Sequence, residues 1–245
     1  MKKIALVTGA AGGLGRAIVR HLIDQGNRVI GTDVSASGLE ELAGSLGNDD
    51  AFRAHTADLT DVSAVDALFA DVEKAFGGLD VLVNNAGTCF MSEFPDIPAD
   101  ELDRQMAINF SAAFHCCQRA VPLMMSRPGV RKIVNISSNG AYNFDVFDPP
   151  HYRSSKAALD TLTKDLARRY ARKRISVNSI APAMTETPLF DVVDEETLKA
   201  AIAAMPHGAP MQPDQVAAWV AFLVSPAGDV ASGNVIILNQ GRDVR

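Results

Sequence analysis

Short apolar runs rich in β-branched residues alternate along this chain with longer segments of helical periodicity. Several runs are almost wholly apolar, which is typical of strands covered on both faces. Strands separated by amphipathic helices indicate parallel strands joined by helical crossovers. The expected fold class is therefore α/β, a doubly wound (Rossmann) seven-stranded parallel sheet with helices on both faces. The predicted strands are residues 3–8, 28–32, 51–55, 79–83, 132–136, 175–180 and 234–238.

The chain contains no linker, repeat or low-complexity tract, which predicts a single domain over residues 1–245. A first helix is expected at 16–25, and the clearest amphipathic helix covers 64–76. Two helices, 101–125 and 152–173, are long enough to bury an apolar interface between subunits.

Three predicted connections are longer than an α/β unit requires, and long loops in compact domains are often functional. They cover residues 84–100, 137–151 and 181–213. Because all three follow strands, we expect them to meet at the carboxyl edge of the sheet, where doubly wound proteins bind ligands. They are the predicted substrate loops.

Composition argues against several classes of partner. A net charge of -6 offers no attraction to nucleic acid or anionic lipid. Cys89, Cys116 and Cys117 lack the spacing of a disulfide framework or a zinc site, which predicts no metal and suits a reducing cytoplasm. The apolar run 4–7 is too short for a signal peptide, and no stretch approaches the roughly 18 apolar residues of a membrane span. We expect a soluble, unprocessed, cytoplasmic protein.

A glycine-rich segment from Thr8 to Gly15 lies between the first strand and the first helix. Glycines allow the backbone to turn tightly and approach a pyrophosphate, and the unpaired N–H groups of a helix start attract anions. Three glycines at this spacing are also compatible with a simple turn. The position between strand and helix favours a dinucleotide site.

The second predicted strand leads into Asp33, whose carboxylate can accept hydrogen bonds from both hydroxyls of an adenosine ribose. The same charge repels a 2′-phosphate, and no lysine or arginine lies at 10–14 or directly after Asp33. This favours NAD over NADP, although an aspartate that merely ends a strand remains the alternative. Asn84 to Gly87 either line the cofactor or form an Asx turn, and Asp58 either binds adenine or caps the helix starting near Val62.

Tyr152 and Lys156 are four residues apart on a predicted helix, so their side chains share one face. The phenol of tyrosine has a pKa of about 10. A neighbouring ammonium in a partly desolvated cleft, with a positively charged nicotinamide ring, would favour the phenolate and make Tyr152 a base. An exposed, solvated lysine is the alternative.

Two further polar positions belong to this hypothesis. Ser138 ends the fifth strand and can meet the phenol over one substrate oxygen, although serines are also ordinary turn residues. Asn109 lies inside a predicted helix, where asparagine is unfavourable unless it binds water or bends the helix. Such a water could pass protons to Lys156.

Taken in order, these motifs resemble the short-chain dehydrogenase/reductase family, in the compact subgroup with Thr-Gly-x-x-x-Gly-x-Gly and Tyr-x-x-x-Lys. The resemblance covers nearly the whole chain. It implies a catalytic tetrad of Asn109, Ser138, Tyr152 and Lys156, and usually a homotetramer built on the two long helices, with a homodimer as the alternative. Cofactor-binding positions would be Gly9, Gly12, Gly13, Leu14, Gly15, Asp33, Asp58, Leu59, Asn85, Ala86, Gly87, Tyr152, Lys156, Pro182, Thr185 and Thr187.

The chain departs from the family pattern at three places. Ala183 replaces a usual glycine, Ala209 stands where arginine is common, and Asn239 with Gln240 replaces a usual Asp-Gly. None of these positions supplies a group of the tetrad. The departures concern the substrate lobe and assembly rather than hydride transfer.

The three long loops hold many apolar and aromatic side chains and few cations, which favours a neutral alicyclic or aromatic alcohol or ketone as the small-molecule substrate. Substrate contacts are predicted from Ser138, Asn139, Tyr152, Phe90, Phe144 and Met184. Packing of the lobe is the alternative role for the apolar residues. The rival functions are a 3-oxoacyl-carrier-protein reductase, which would usually prefer NADPH, and a non-catalytic NAD-binding sensor. The apolar set comprises Phe90, Phe94, Tyr142, Phe144, Phe147, Met184, Leu189 and Phe190.

Overall fold

A computed structural model describes residues 2–47, 50–144 and 148–242. Its seven strands form one parallel sheet in the order β3-β2-β1-β4-β5-β6-β7, which confirms the predicted fold class. β1 lies between β2 and β4, so the strand order reverses there and leaves the crevice that doubly wound sheets use for ligands. The strands are β1 Ile4–Thr8, β2 Arg28–Asp33, β3 Phe52–Thr56, β4 Val81–Asn84, β5 Arg131–Ile136, β6 Ile175–Pro182 and β7 Val235–Leu238.

Helices cover both faces of this sheet. Successive β1 residues point to opposite sides, so Val7 packs in one core cluster while Leu6 packs in the other. The first cluster joins α1, α2 and α8 to the sheet, and the second joins α3 and α5. The helices are α1 Gly13–Asp24, α2 Ala36–Leu46, α3 Val62–Phe76, α4 Ala99–Met106, α5 Ala112–Met125, α6 Pro150–Tyr170, α7 Glu195–Ala203 and α8 Pro213–Val224.

The long helix predicted at 101–125 is interrupted. A π-helical turn, Ala107–Ser111, joins α4 to α5, with Asn109 in its middle. The second long helix, predicted at 152–173, begins earlier: Pro150 occupies the first turn of α6, where its missing N–H costs nothing. Tyr152 therefore lies in that first turn.

The connection predicted at 181–213 is not a plain loop. β6 continues to Pro182, a short 3-10 helix covers Pro188–Val192, and α7 follows. The Asp194 side chain accepts a hydrogen bond from the Thr197 N–H and so caps α7. Across the described residues, we find no helix with the length and hydropathy that crossing a bilayer requires.

Candidate active site

A cavity of about 380 Å³ opens at the carboxyl ends of β1, β4, β5 and β6. The glycine-rich turn forms one wall, and all three long connections contribute to the others. The structure therefore places the predicted substrate loops around one space. Its lining includes Gly9, Gly12, Gly13, Leu14, Gly15, Asp33, Asn85, Ala86, Gly87, Ser138, Asn139, Tyr152, Lys156, Pro182, Met184, Thr185 and Thr187.

The glycine-rich turn has a backbone that larger residues would block. Gly9 has a φ of 62°, and a Cβ atom there would lie 2.8 Å from Cα of Ala86. A Cβ atom on Gly15 would overlap the carbonyl of Gly9. No side chain caps α1 at Gly12, so N–H groups of its first turn remain available to an anion. This cradle fits a dinucleotide pyrophosphate.

Asp33 lies beside this turn. Its Oδ2 accepts a hydrogen bond from the Ala11 N–H and its Oδ1 accepts one from the Ser35 N–H, each at 3.0 Å. An ionised carboxylate offers about four lone-pair sites, so Asp33 retains acceptor capacity toward a ribose. Sequence reasoning missed Arg16, which donates to the carbonyls of Ala11 and Gly38 on the same side of the cavity.

The Asn84 to Gly87 segment both ties strands together and lines the cavity. The Asn85 amide donates to the carbonyls of Thr8 and Gly9 at 2.9 and 3.0 Å, and the Ala86 N–H donates to the Thr8 hydroxyl. These bonds join the end of β4 to the glycine-rich turn. The segment therefore has a structural role, which is not that of an Asx turn, in addition to lining the cavity.

Tyr152 and Lys156 lie one turn apart on α6, with Nζ of Lys156 5.9 Å from the centre of the Tyr152 ring. Both side chains are buried. Ser138 hydrogen-bonds the phenol of Tyr152. Nζ of Lys156 donates to the Ile136 carbonyl at 3.0 Å, which anchors it to the end of β5. Serine, tyrosine and lysine thus meet at one wall of the cavity.

Burial dominates the electrostatics of this group. It raises the pKa of Tyr152, the charge of Asp148 raises that pKa further, and the hydrogen bond from Ser138 opposes both. Burial lowers the pKa of Lys156 to about 8, against the attraction of Asp160. The protein groups alone therefore keep Tyr152 as a neutral phenol.

Asp160, which sequence reasoning missed, lies one turn beyond Lys156. Its carboxylate accepts hydrogen bonds from the hydroxyls of Ser137, Ser179 and Tyr142 at 2.8, 2.6 and 2.8 Å. These donors keep a buried carboxylate hydrogen-bonded next to Lys156. The spacing of Lys156 and Asp160 was a signal in the sequence, but the three donors come from distant segments.

Asn109 lies behind Gly87 rather than in the cavity wall. Its amide donates to the Thr88 carbonyl at 2.9 Å and to the Ser155 hydroxyl at 3.0 Å, and its Oδ1 accepts from the Thr88 N–H at 2.9 Å. Gln105, which was not predicted, donates to the same Thr88 carbonyl from one turn earlier. Both amides fix the start of the 84–100 loop.

Two predicted cofactor positions are not brought to the cavity. The Asp58 carboxylate accepts hydrogen bonds from the N–H and hydroxyl of Thr60, and Leu59 packs in the core. Asp58 does not have the alternative role of a helix cap, because Asp61 caps α3. A local turn uses one carboxylate oxygen of Asp58, and the role of Asp58 toward adenine stays a prediction.

The aromatic substrate wall was mispredicted. Phe144 is 73% exposed, with the Arg153 guanidinium 5.2 Å from its ring centre, and Phe90 packs under Arg104. The Tyr142 hydroxyl turns to Asp160, and Phe94 is exposed. Asn139, Met184 and Phe190 do line the cavity. Phe147 and the Leu189 side chain lie outside the described residues.

Two of the departures from the family pattern contact each other. The Gln240 amide donates to the Ala209 carbonyl at 3.1 Å, and its Oε1 accepts from the His207 N–H at 3.0 Å. Gln240 has a φ of 59°, a conformation that glycine adopts more easily. The glutamine thus joins the substrate lobe to the segment after β7.

The cradle at the start of α1 and the Ser138, Tyr152 and Lys156 group line one cavity. Residues 9–243 match the family model described as enoyl-(acyl carrier protein) reductase. The chain belongs to the short-chain dehydrogenase/reductase family, whose members bind nicotinamide cofactors.

Relatives within the family differ in named activity. The 3-oxoacyl-[acyl-carrier-protein] reductase FabG of Vibrio cholerae is 31% identical, over 98% of this chain and 96% of the relative. The D-threitol dehydrogenase of Mycolicibacterium smegmatis is 34% identical, over 99% and 94%. A Brucella melitensis structure named glucose/ribitol dehydrogenase has a TM-score of 0.91 and 29% identity, and the match covers 100% of both chains.

Proposed function

We propose that this protein is an NAD-dependent oxidoreductase that moves hydride between the nicotinamide and a neutral secondary alcohol or its ketone. The observation that carries the proposal is the meeting of Ser138, Tyr152 and Lys156 at one wall of the cavity that the glycine-rich turn also lines. A binding module needs the glycine-rich turn but has no use for a buried tyrosine beside a lysine. This favours an enzyme over the sensor alternative.

When bound, the nicotinamide accepts a hydride from the carbinol carbon or returns it to the carbonyl carbon. Ser138 holds the substrate oxygen, and Tyr152 takes the hydroxyl proton during oxidation or donates it during reduction. Lys156 holds the nicotinamide ribose and favours the phenolate. Asn109, behind Gly87, anchors a water that passes the proton onward from Lys156.

The preference for NAD is proposed from Asp33. Its carboxylate lies beside the glycine-rich turn, where it can accept from ribose hydroxyls and would repel a 2′-phosphate. Arg16 is the group that could offset this repulsion, but it donates to two backbone carbonyls and pairs with Glu41 at 3.0 Å. Cofactor preference is therefore set by the balance of Asp33 against Arg16.

The substrate proposal keeps its neutral character, but of the predicted aromatic contacts Phe190 lines the cavity whereas two others do not. Phe90 and Phe144, which suggested alicyclic or aromatic compounds, lie outside the cavity wall. The FabG relative favours a second candidate, reduction of a carrier-linked 3-oxoacyl group, whereas the D-threitol dehydrogenase relative is named for a polyol. An oxoacyl reductase would need an apolar channel for the acyl chain.

The remaining proposals concern assembly and compartment. Leu102 on α4 and Phe114 on α5 are 44% and 39% exposed, so this helical face supports an interface between subunits in a homotetramer or homodimer. All three cysteines are free and buried, which is compatible with a reducing cytoplasm.

The test is NADH formation by the purified protein across neutral secondary alcohols that are aliphatic, alicyclic, aromatic or polyhydroxylated, with NADP in parallel. We expect turnover with NAD that falls by roughly 10³-fold in Tyr152→Phe, because the general acid-base is lost. Tyr170→Phe, at a partly buried tyrosine that does not line the cavity, serves as the matched control. Tight NAD binding without turnover of any alcohol or of a 3-oxoacyl thioester would sink the enzyme proposal and favour a sensor.

A further inference from the structure

Asp148, at the end of the 137–151 connection, brings a carboxylate into the cavity wall. Its Oδ2 lies against Gly140, where any Cβ atom would overlap it. Gly140 also lines the cavity and follows Ser138 by two residues. The glycine therefore leaves the space in which the carboxylate lies, on the substrate side of the catalytic serine.

Asp148 acts at short range on the reacting groups. Its charge is the largest influence after burial on the pKa of Tyr152 and also raises the pKa of the Cys89 thiol, which lines the same cavity. Burial raises the pKa of Asp148 itself. A half-buried carboxylate in this position is stabilised most by a ligand that donates a hydrogen bond to it.

The neighbouring charges restrict which donor this can be. Arg153 and Arg242 both attract Asp148, and Arg242 lines the cavity with it. Arg153 donates to the backbone carbonyls of Gly140, Asn143 and Asp148. A positively charged substrate would be repelled by these arginines, and a negatively charged substrate would be repelled by Asp148. A neutral hydroxyl can donate to the carboxylate and accept from a guanidinium.

The lining also includes the apolar side chains of Met91, Met184, Phe190 and Val193. They suit the carbon chain of the substrate but offer a hydroxyl no ionic partner. A purely hydrocarbon substrate would shield Asp148 from water without giving it a donor, which is unfavourable. The cavity lining therefore combines the Asp148 carboxylate with apolar side chains.

We propose that Asp148 selects substrates that carry a second hydroxyl beside the reacting carbinol, so that the enzyme acts on diols or polyols or their hydroxyketones. The proposal rests on the proposed hydride transfer for its reaction and names the substrate class of that site. Asp148 accepts the hydrogen bond of the second hydroxyl while Ser138 and Tyr152 bind the first oxygen.

The experiment compares four-carbon probes: 2-butanol, 2,3-butanediol, 3-amino-2-butanol and 3-hydroxybutyrate. For the wild type with NAD, kcat/KM for the diol should exceed that for each other probe by roughly 10-fold or more, the size of one hydrogen bond to a charged group. Asp148→Ala should reduce the ratio of diol to 2-butanol toward one. Gly140→Ala should act in the same direction by displacing the carboxylate. Asp191→Ala removes an exposed carboxylate of the same lobe and should keep the wild-type ratio.

Equal use of the diol and 2-butanol, or an unchanged ratio in Asp148→Ala, would overturn the proposal. Ligand-observed NMR with NADH present measures the dissociation constants of the same probes without turnover. Tighter diol binding that Asp148→Ala abolishes, with no turnover of any probe, would support the Asp148 site and count against hydride transfer. Failure of the diol to bind more tightly than 2-butanol would reject the site.

Discussion

Nζ of Lys156 donates a hydrogen bond of 3.0 Å to the Ile136 carbonyl, which links α6 to the end of β5. Gly87 also lies close to the ammonium, since a Cβ atom on this glycine would lie 3.1 Å from Nζ. The backbone at Ile136 and Gly87 therefore confines the Lys156 side chain, which cannot move out to solvent when its charge changes. The pKa of Lys156 is therefore set by the groups around the ammonium rather than by a change of side-chain rotamer.

Asp160→Asn is predicted to shift the pH dependence of activity. The pKa of Lys156 is about 8, with burial lowering it and the charges of Asp160 and Cys89 raising it. A neutral asparagine removes the larger attraction, so the ammonium is lost at lower pH. In the wild type, kcat/KM for NADH-dependent ketone reduction should decline above about pH 8, and in Asp160→Asn the decline should begin at lower pH.

Asp165→Asn is the matched control for this shift. Asp165 lies on the same helix but is 50% exposed and pairs with Arg169. Its profile should coincide with that of the wild type. An unchanged alkaline limb in Asp160→Asn would show that Asp160 does not tune Lys156.

Asp33→Ala should weaken NAD binding and narrow the preference for NAD over NADP. The carboxylate offers charge-assisted hydrogen bonds worth roughly 1.5–3 kcal/mol, which corresponds to about a 10- to 100-fold rise in the Kd for NAD. Fluorescence titration with NADH and NADPH measures both constants. Asp24→Ala, at an exposed aspartate of α1 that does not line the cavity, should leave them unchanged; an unaltered preference in Asp33→Ala would remove its proposed role.

Asn109→Ala should destabilise the fold. It leaves the Thr88 N–H and the Ser155 hydroxyl each short of a partner at a buried place. We expect a loss of roughly 3 kcal/mol in the free energy of unfolding and a Tm lower by roughly 6–12 °C. Differential scanning calorimetry tests this against exposed Gln118→Ala. A loss no larger than that of the control would mean that Asn109 does not hold the loop.

Gln240 allows a test of compensation between strain and hydrogen bonding. Gln240→Ala loses both hydrogen bonds to the substrate lobe and keeps the positive φ, so it should cost roughly 1–3 kcal/mol. Gln240→Gly loses the same bonds but relieves roughly 1–2 kcal/mol of left-handed strain. Urea unfolding should place Gln240→Gly above Gln240→Ala in stability; the reverse order would contradict the left-handed backbone.

Local patterns in the sequence were sufficient for the fold. Strand and helix periodicity predicted the sheet because burial of the five central strands on both faces leaves a composition that is visible within a few residues. The glycine-rich turn could be predicted in the same way, since only a short backbone segment is involved. Asn109 lies in the π-helical turn between α4 and α5, and its role toward a water stays a prediction.

By itself, the sequence determined where the candidate site residues lie along the chain: the glycine-rich turn after β1, Asp33 at the end of β2, Ser138 after β5, and the Tyr152 and Lys156 pair on one face of α6. These features depend on neighbours within a turn of helix or at a strand end. Only the tertiary structure decided which side chains enter the cavity. Asp160 accepts from hydroxyls of two distant segments, the 137–151 connection and β6; Asp148 turns inward against Gly140, and Phe144 turns outward over Arg153. The physical reason is that side-chain direction in long connections is set by packing and charge between segments far apart in the chain, which local periodicity does not encode.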